Sequence, residues 1–501
     1  MPSLADTIEG RRIEAHRPRP RIVVNAAGWS AAANRMAAGE WTLLGLWGAI
    51  ACVHMAVMGE GAEIAVLTLE CADGEYPSVG AVHPPAIRFE RAIRDLYGLI
   101  PLGLPDTRPW LDLGFWEVTH PLAVQPGAAV APTPFPFLPS EGGGLHQVPV
   151  GPVHAGIIEP GHFRFTANGE RIVRLEQRLG YVHKGIEHLM TGASLDKAAQ
   201  LAGRASGDST VAYALAFAHA VEAALELTVP PRAILLRALM AELERIANHF
   251  GDFGAICNDA SFAVMHAQCG ILREQTLRTA DACFGHRLMM DRIVPGGVAR
   301  DIATRGLDQV RMLIGEARAR FPHLVELYDK TASLQDRTVG TGILHPELAR
   351  QFGAGGYVGR ASGRAFDARK APGYAPYGWL SFYVSTLEAG DVNARVLIRI
   401  REIEQSLAMI EQILHELPHG PVAATFYPEA RSGEGLGLVE GFRGDVFAWI
   451  AIEAGTVTRC HLRDPSWFQW PLLEAVIEDN IVADFPLCNK SFNCSYSGHD
   501  L

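Results

Sequence analysis

Gly151–Met190 reads GPVHAGIIEPGHFRFTANGERIVRLEQRLGYVHKGIEHLM. His154, Glu159 and His162 stand in a loop punctuated by glycine and proline. Two extended runs follow, Phe163 to Ala167 and Glu170 to Glu176, flanking Asn168-Gly169. Asn-Gly between such runs is the strongest short hairpin signal, because both central residues of a type I′ turn take positive φ. After Gly180, Val182, Ile186 and Leu189 fall at helical spacing. The expectation is loop, hairpin, helix, with proton-active side chains where the chain enters. Loop histidines and glutamates are commonly plain surface groups, so residue type alone leaves both readings open.

Outward from this stretch, 501 residues imply two or three domains. A composition of 48% hydrophobic and 20% charged residues is that of a globular chain. The net charge of -11 offers no basic footprint and argues against a nucleic-acid partner. The eight cysteines are scattered, with no C-x-x-C pair, which implies reduced thiols in a cytoplasmic protein. The charged, proline-bearing first twenty residues do not read as a signal peptide. Trp41–Gly59 lacks formal charge and approaches the length of a membrane span. His54 and several glycines interrupt it, so it is expected to be a buried helix leading into a strand at Ala62–Leu69. Any membrane contact is expected to come through partner subunits.

The chain divides into a small α/β unit at 1–118, a linker at 119–147 rich in proline and glycine, and a mainly helical unit at 148–501. The linker should be extended and weakly ordered. In the second unit, alanine-rich Ser194–Leu227 reads as a buried helical stretch. Pro230-Pro231 opens a helix whose Leu235, Leu239, Ile246 and Phe250 share a face. Asp391–Leu417 is the clearest helix, with Val392, Val396, Ile400, Ile403, Leu407, Ile410 and Leu414 repeating at three and four. Arg399, Arg401 and Glu404 are expected on its solvated or subunit-facing side. Asp445–Ile452 and Val457–His461 suggest a second hairpin around Ala454-Gly455. No G-x-G-x-x-G follows a strand, so a nucleotide site is unsupported.

Several segments carry a family resemblance. FERAIRDLYGLIPLGLPDTRPWLD, with Glu90-Arg91, Asp95, Tyr97-Gly98 and Pro105-Asp106 before Arg108, resembles the 30-kDa-type subunit of complex I. PPRAILLRALMAELERIANHFGDFGAICNDA, GYVGRASGRAFDARKAPGYAPY and GDVNARVLIRIREIEQSL resemble its 49-kDa-type, quinone-site subunit. GEGLGLVEGFRGDV followed by CHLRDPSW is similar to the hydrogenase-4 component G-like large subunit of energy-converting hydrogenase-related complexes. The chain thus resembles a fusion of the two complex I-type subunits. The implied fold is α+β: a small N-terminal α/β docking domain and a mainly helical [NiFe]-hydrogenase-large-subunit-like domain with peripheral hairpins. The first domain is expected to assemble and not to catalyse.

The resemblance also marks what is missing. A [NiFe] site needs four soft thiolates, supplied in that family by R-x-C-G-x-C and a C-terminal D-P-C-x-x-C. The matching stretch Arg204–Ser209 carries Ser206 and Ser209, and SFNCSYSGHDL places Ser495 and Gly498 at the other pair, with Cys494 one residue out of register. No nickel and no hydrogen production are expected. In the complex I pattern, Pro160 falls at the head-group histidine and Gly207 at the tyrosine, so a quinone site would be rearranged. Asp259 matches the family's acidic partner of that histidine, although by residue type alone it reads as a helix-terminal Asp. His154, Glu159 and Asp259 are the candidate catalytic residues. His162, Arg204, Gly207 and Asp208 would line a cavity facing a quinone or a cluster, Arg204 either towards an iron–sulfur partner or paired with Asp208. Glu187 matches a glutamate near a structural magnesium, and no metal is expected to remain there. Arg360, Asp367 and Arg369 are expected to brace a loop through ion pairs.

The resemblance implies a subunit of a respiratory-type oxidoreductase on the cytoplasmic face of the inner membrane, inactive by itself. Its partners would be a complex I 20-kDa-like small subunit with a [4Fe-4S] cluster, a ferredoxin-like iron–sulfur subunit and antiporter-like membrane subunits. This chain would hold no cofactor of its own, quinone being the possible acceptor. Proton-coupled electron transfer, a non-catalytic scaffold and a hydrogenase with unusual ligands are the rival functions.

Overall fold

A computed structural model describes residues 3–152, 158–302 and 304–501. Among the described residues a five-stranded sheet opens the chain, in the order Arg11–Ile13, Arg21–Val24, Ile64–Glu70, Cys52–Met58, Thr42–Ala49. Trp41–Gly59 is therefore not a helix. It is two antiparallel strands turning through Ala51 at φ 54°. The reason is burial on both faces. Leu43, Leu46, Val53, Met55 and Val57 belong to the main core, while Leu44, Trp47, Ala56 and Met58 pack against a second sheet. Strands covered on both sides lose the polar alternation that would betray them and read as one apolar run.

The second sheet runs Thr456–Arg463, Asp445–Glu453, Gly433–Glu440, His16–Arg17. The hairpin around Ala454-Gly455 is present as expected. The last strand is parallel and comes from the N-terminus, so the first segment of the chain completes a sheet of the C-terminal unit. Gly433, Gly435 and Gly437 alternate along one strand face. A Cβ on any of them would collide with the carbonyl of Ala224, Ala220 or Ala216. The strand thus lies directly on the backbone of the Thr210–Ala224 helix, an approach only glycine permits.

The helical body is built on Pro231–Asp259, packed against Ala263–Phe284 and Val392–Glu416. Val392–Glu416 starts as expected, with Asp391 accepting from the Ala394 amide at 2.7 Å. Arg399 is a correction. It is buried, bonds Asp252 at 3.1 Å and the Ser491 carbonyl at 2.7 Å, and lies 3.5 Å from the Tyr357 ring centre. At the junction of three elements each of its three nitrogens donates to an internal partner, which periodicity cannot reveal. Glu404 is exposed. Ser194–Leu227 is not continuous: helices Leu195–Ala202 and Thr210–Ala224 are separated by the serine-bearing loop. Arg360, Asp367 and Arg369 do brace buried structure, with Arg360 on Glu402 and Glu440 (both 2.8 Å) and Arg369 on Asp367 (2.7 Å) and Glu242 (3.0 Å).

The opening hairpin pairs His162–Asn168 with Arg171–Arg178, and Leu145–Val150 adds a third strand. Its loop is Gly169-Glu170 rather than Asn168-Gly169, and of these only Gly169 has positive φ (60°). A register shift between Thr166 and Ala167 moves the turn by one residue. The helix after it is short, Ile186–Met190, and excludes Val182. The 119–147 stretch is largely without regular structure yet pinned to the body: the Leu138 amide donates to Glu176 at 2.8 Å, and Phe135 sits 5.2 and 5.5 Å from the Arg108 and Arg178 guanidiniums. In Ile87–Tyr97, the residues of the 30-kDa-like signature hold structure. Glu90 accepts from Ser78 at 2.6 Å and from the Val79 amide at 2.7 Å, Arg91 pairs with Asp106 at 2.9 Å, and Arg88 reaches Glu474 of the second unit at 2.7 Å. No helix among the described residues is long and apolar enough to cross a membrane.

Candidate functional site

Three stretches far apart in sequence, 204–209, 441–444 and 493–498, meet at one buried point. Ser206 is extended (φ -145°), and Gly207–Ser209 makes a single tight turn into the Thr210–Ala224 helix. That helix start is anchored by Glu244, which accepts from the Val211 and Ala212 amides at 2.7 and 3.1 Å. Ser495 caps the short Tyr496–Asp500 helix, its Oγ accepting from the Gly498 amide at 2.9 Å. These two local structures place Ser206 Oγ and Ser495 Oγ 2.9 Å apart, with both residues buried.

The hydrogens can be ordered. Ser206 Oγ donates to Asp208 Oδ1 at 2.8 Å, so the Ser495 hydroxyl donates to Ser206. The file Ser495–Ser206–Asp208 is therefore polarised towards the carboxylate. Arg443 closes it: Nη1 donates to Asp208 Oδ1 at 2.8 Å and to Ser209 Oγ at 3.0 Å, and Nη2 to Asp208 Oδ2. Burial pushes the Asp208 carboxyl up, but the Arg443 charge and the hydrogen bonds from Arg443 and Ser206 outweigh it and hold it below the usual range. Tyr213 donates to Asp464 at 2.9 Å behind Gly498, where a Cβ would meet the Asp464 carboxylate and Ser495 Oγ.

The four positions aligned with the [NiFe] ligands thus converge, as Ser206, Ser209, Ser495 and Gly498. The donor set does not fit that metal centre. Three hydroxyls and a glycine replace four thiolates, and the hydroxyls are already engaged with one another or with Arg443. Cys494, one residue away, is buried with Sγ 3.9 Å from Gln469 Oε1, and burial raises its thiol well above the usual range. At Glu187 both oxygens are occupied: Arg459 lies at 2.9 Å and His461 Nδ1 at 2.7 Å. Burial raises that carboxyl, and Arg459 and His461 pull it down to about 2.

The candidate residues fall into separate places. His154 lies in 153–157, outside the described residues. Glu159, half-buried, accepts from the Ser497 amide at 3.0 Å and so sits at the rim of the serine cluster. Gly207 is exposed beside Asp208, with nothing within 4 Å of a Cβ placed on it. Arg204 is exposed and makes a bidentate pair with Asp291 (2.5 and 2.8 Å) rather than with Asp208. His162 begins its strand with its ring 4.6 Å from Phe137. Asp259 ends the Pro231–Asp259 helix with Lys490 and His266 among its neighbours, and burial raises its carboxyl. On that helix, Asn248 reaches the Asp208 carbonyl at 2.9 Å; Asp259 is about 16 Å further along. The residue that sequence reasoning missed is Arg443. Its signal was the glycine-flanked Gly441-Phe442-Arg443-Gly444 turn, which carries no partner information by itself.

Comparison with known proteins agrees with this architecture. Residues 48–125 match the family described as the 30 Kd subunit of respiratory-chain NADH dehydrogenase, and residues 262–430 match that of its 49 Kd subunit. Hydrogenase-4 component G of Escherichia coli (strain K12) is 34% identical over 89% of this chain and 80% of its own length. An NADH-quinone oxidoreductase subunit of Syntrophobacter fumaroxidans is 33% identical over 68% of this chain and 92% of its own. Among solved structures, a chain of the membrane-bound sulfane sulfur reductase, an archaeal respiratory membrane complex, superposes with a TM-score of 0.67 at 26% identity, covering 71% of this chain and 98% of that one.

Proposed function

Because this chain belongs to the family of fused complex I 30-kDa/49-kDa-type subunits that includes hydrogenase-4 component G, we propose that it couples electron transfer to proton movement within a membrane-associated oxidoreductase. The observation that carries this is the polarised Ser495–Ser206–Asp208 file, with Glu159 at its rim. A hydroxyl both accepts and donates, so the two in series can carry a proton towards the Asp208 anion, and Glu159, which accepts from the Ser497 amide at 3.0 Å, is the proposed proton-active group at the rim. The electron source would be a [4Fe-4S] cluster in a small subunit, with a ferredoxin-like subunit and antiporter-like membrane subunits completing the assembly at the cytoplasmic face. The acceptor would be a quinone, and no nickel would be held. His154 and Asp259 stay proposed as catalytic residues beside Glu159, and His162, Arg204, Gly207 and Asp208 as the lining of a quinone- or cluster-facing cavity.

A scaffold role is favoured by one specific feature: Asp208 is locked by a bidentate arginine, as structural carboxylates are. The complex, purified gently from its native membrane with this subunit tagged, separates the readings. Iron without nickel, with quinone reduction lost in Glu159→Gln and Ser206→Ala, is the expected result. Full turnover in both variants would leave the scaffold. Nickel at one per chain would establish a hydrogenase with unusual ligands.

A further inference from the structure

The strand Gly433–Glu440 leads into the turn that carries Arg443, and it ends in a second buried cluster of charges. Glu242, Asp367, Glu402 and Glu440 face Arg245, Arg360 and Arg369, and all seven are buried. Their contacts form one network. Arg369 binds Asp367 at 2.7 Å and Glu242 at 3.0 Å, Arg245 lies 3.2 Å from Glu242 and 3.8 Å from Glu402, and Arg360 binds Glu402 and Glu440, both at 2.8 Å. Four carboxylates against three guanidiniums leave one negative charge in excess. An uncompensated charge away from water is costly, and a cluster of this kind lowers the cost by taking up a proton.

Two groups are candidates to hold it. His249 Nε2 lies 2.8 Å from Glu402, but its Nδ1 is buried without a partner among the described residues. A second proton on that ring would bury an N–H donor with nothing to bond, beside the Arg245 and Arg399 charges. Glu440 is the better place. Its Oε1 and Asp367 Oδ2 approach the same nitrogen, Arg360 Nη1, at 2.8 and 3.6 Å. Two carboxyls that share one site do not both ionise freely. Asp367 has the first claim on the charge, because Arg369 binds its two oxygens at 3.0 and 2.7 Å. Glu440 has Arg360 and the Ala368 amide, the latter at 3.0 Å. Burial pushes both carboxyls up; the Arg369 charge overcomes it at Asp367, and the Asp367 charge adds to it at Glu440. The other charges near Glu440 are engaged elsewhere. Asp445 is closed onto Arg463, Arg245 also bonds the carbonyls of Glu440 and Gly441, and Arg364 is half-buried, bonds the Ala354 carbonyl at 3.0 Å and makes no ion pair among the described residues.

A route for exchange is present. A cavity of about 20 Å³, room for one water, lies beside Tyr374 and Tyr377. Tyr377 Oη donates to Glu242 at 2.7 Å, and Tyr374 Oη accepts from the Glu440 amide at 3.2 Å. The cluster is also tied to the serine file. Arg245 Nη1 bonds the Gly441 carbonyl at 2.9 Å, and two residues further on Arg443 holds Asp208. We propose that Asp367 and Glu440 form one acid pair that stores a single proton, and that Glu440 is a positioning residue, its charge setting the turn that aims Arg443 at Asp208. The store stands on the cluster's own charges; its part in coupling rests on the function proposed above.

The test is infrared difference spectroscopy of the purified complex as the pH is raised through the neutral range. The spectrum of the wild type minus that of Glu440→Gln is expected to show the carbonyl stretch of one protonated carboxyl group, lost at the alkaline end. The subtraction sets aside Glu90 and Glu244, whose carboxyls burial also raises. In Asp367→Asn the same stretch should disappear at least about one pH unit lower, because the competing carboxylate is gone. If Glu440→Gln fails to assemble, Asp367→Asn decides. No such stretch in the difference spectrum, or a pH dependence that Asp367→Asn leaves unmoved, overturns the acid pair. A stretch assigned to Glu440 with the pH profile of turnover unchanged in Glu440→Gln keeps the store and removes its part in coupling. Turnover lost in Glu159→Gln with no stretch from Glu440 removes the store and leaves the proposed function.

Discussion

Ser206 and Ser495 come from opposite parts of the chain and satisfy one another inside the protein. A thiolate is an anion that seeks a soft cation; a hydroxyl is neutral and is satisfied by another hydroxyl, as here at 2.9 Å. Arg443 and Asp208 supply the local charge instead. Asp208→Asn would leave Arg443, which is 4% exposed, without its counter-ion. The Asp208 side chain is 37% exposed, so solvent screens part of the pair and its loss costs about 1–3 kcal/mol; a lower melting temperature is expected in thermal unfolding of the complex. Glu187 makes a second prediction. Its carboxyl titrates at about 2 when folded against 4.5 unfolded. Its contribution, about 3 kcal/mol, is full above pH 4.5 and disappears as the pH falls towards 2. Acid unfolding of Glu187→Gln should lack that component, and an unchanged acid profile would show that the Arg459 pair contributes nothing.

At the scale of elements, the glycine stripe of Gly433–Glu440 is the most constraining feature. Gly437→Val should force the strand off the Thr210–Ala224 helix and cost at least about 1–3 kcal/mol, read as a lower urea midpoint; a neutral result would contradict the close contact with Ala216. This is also where legibility divides. The helix at Val392–Glu416 was readable because one face is apolar and an aspartate caps it. The two strands of Trp41–Gly59 were not, because both of their faces are covered. The hairpin at Asn168-Gly169 was readable as a hairpin, but its turn moved by one residue because a bulge in the strand absorbed the register.

At the scale of the whole molecule, the packing of the two sheets on each other is one of the contacts that join the units, beside the shared main core and the Arg88–Glu474 pair. Trp47, 1% exposed, stacks on His461 at 4.9 Å and lies 5.5 Å from Phe447 and Trp449. Trp47→Ala should cost about 3–5 kcal/mol and let the units unfold separately, seen as two calorimetric transitions in place of one. A single unshifted transition would show that the seam is not cohesive. The sequence by itself determined the family, its 30-kDa-like and 49-kDa-like parts and the main helices of the second part, because these are written in local patterns and residue types. Only the tertiary structure decided that Ser206 meets Ser495, that Asp208 answers to Arg443 while Arg204 answers to Asp291, that Asp259 stands apart, and that Asp367 and Glu440 meet at Arg360. Each of those depends on which distant side chains become neighbours, and a chain read in one dimension carries no record of the approach.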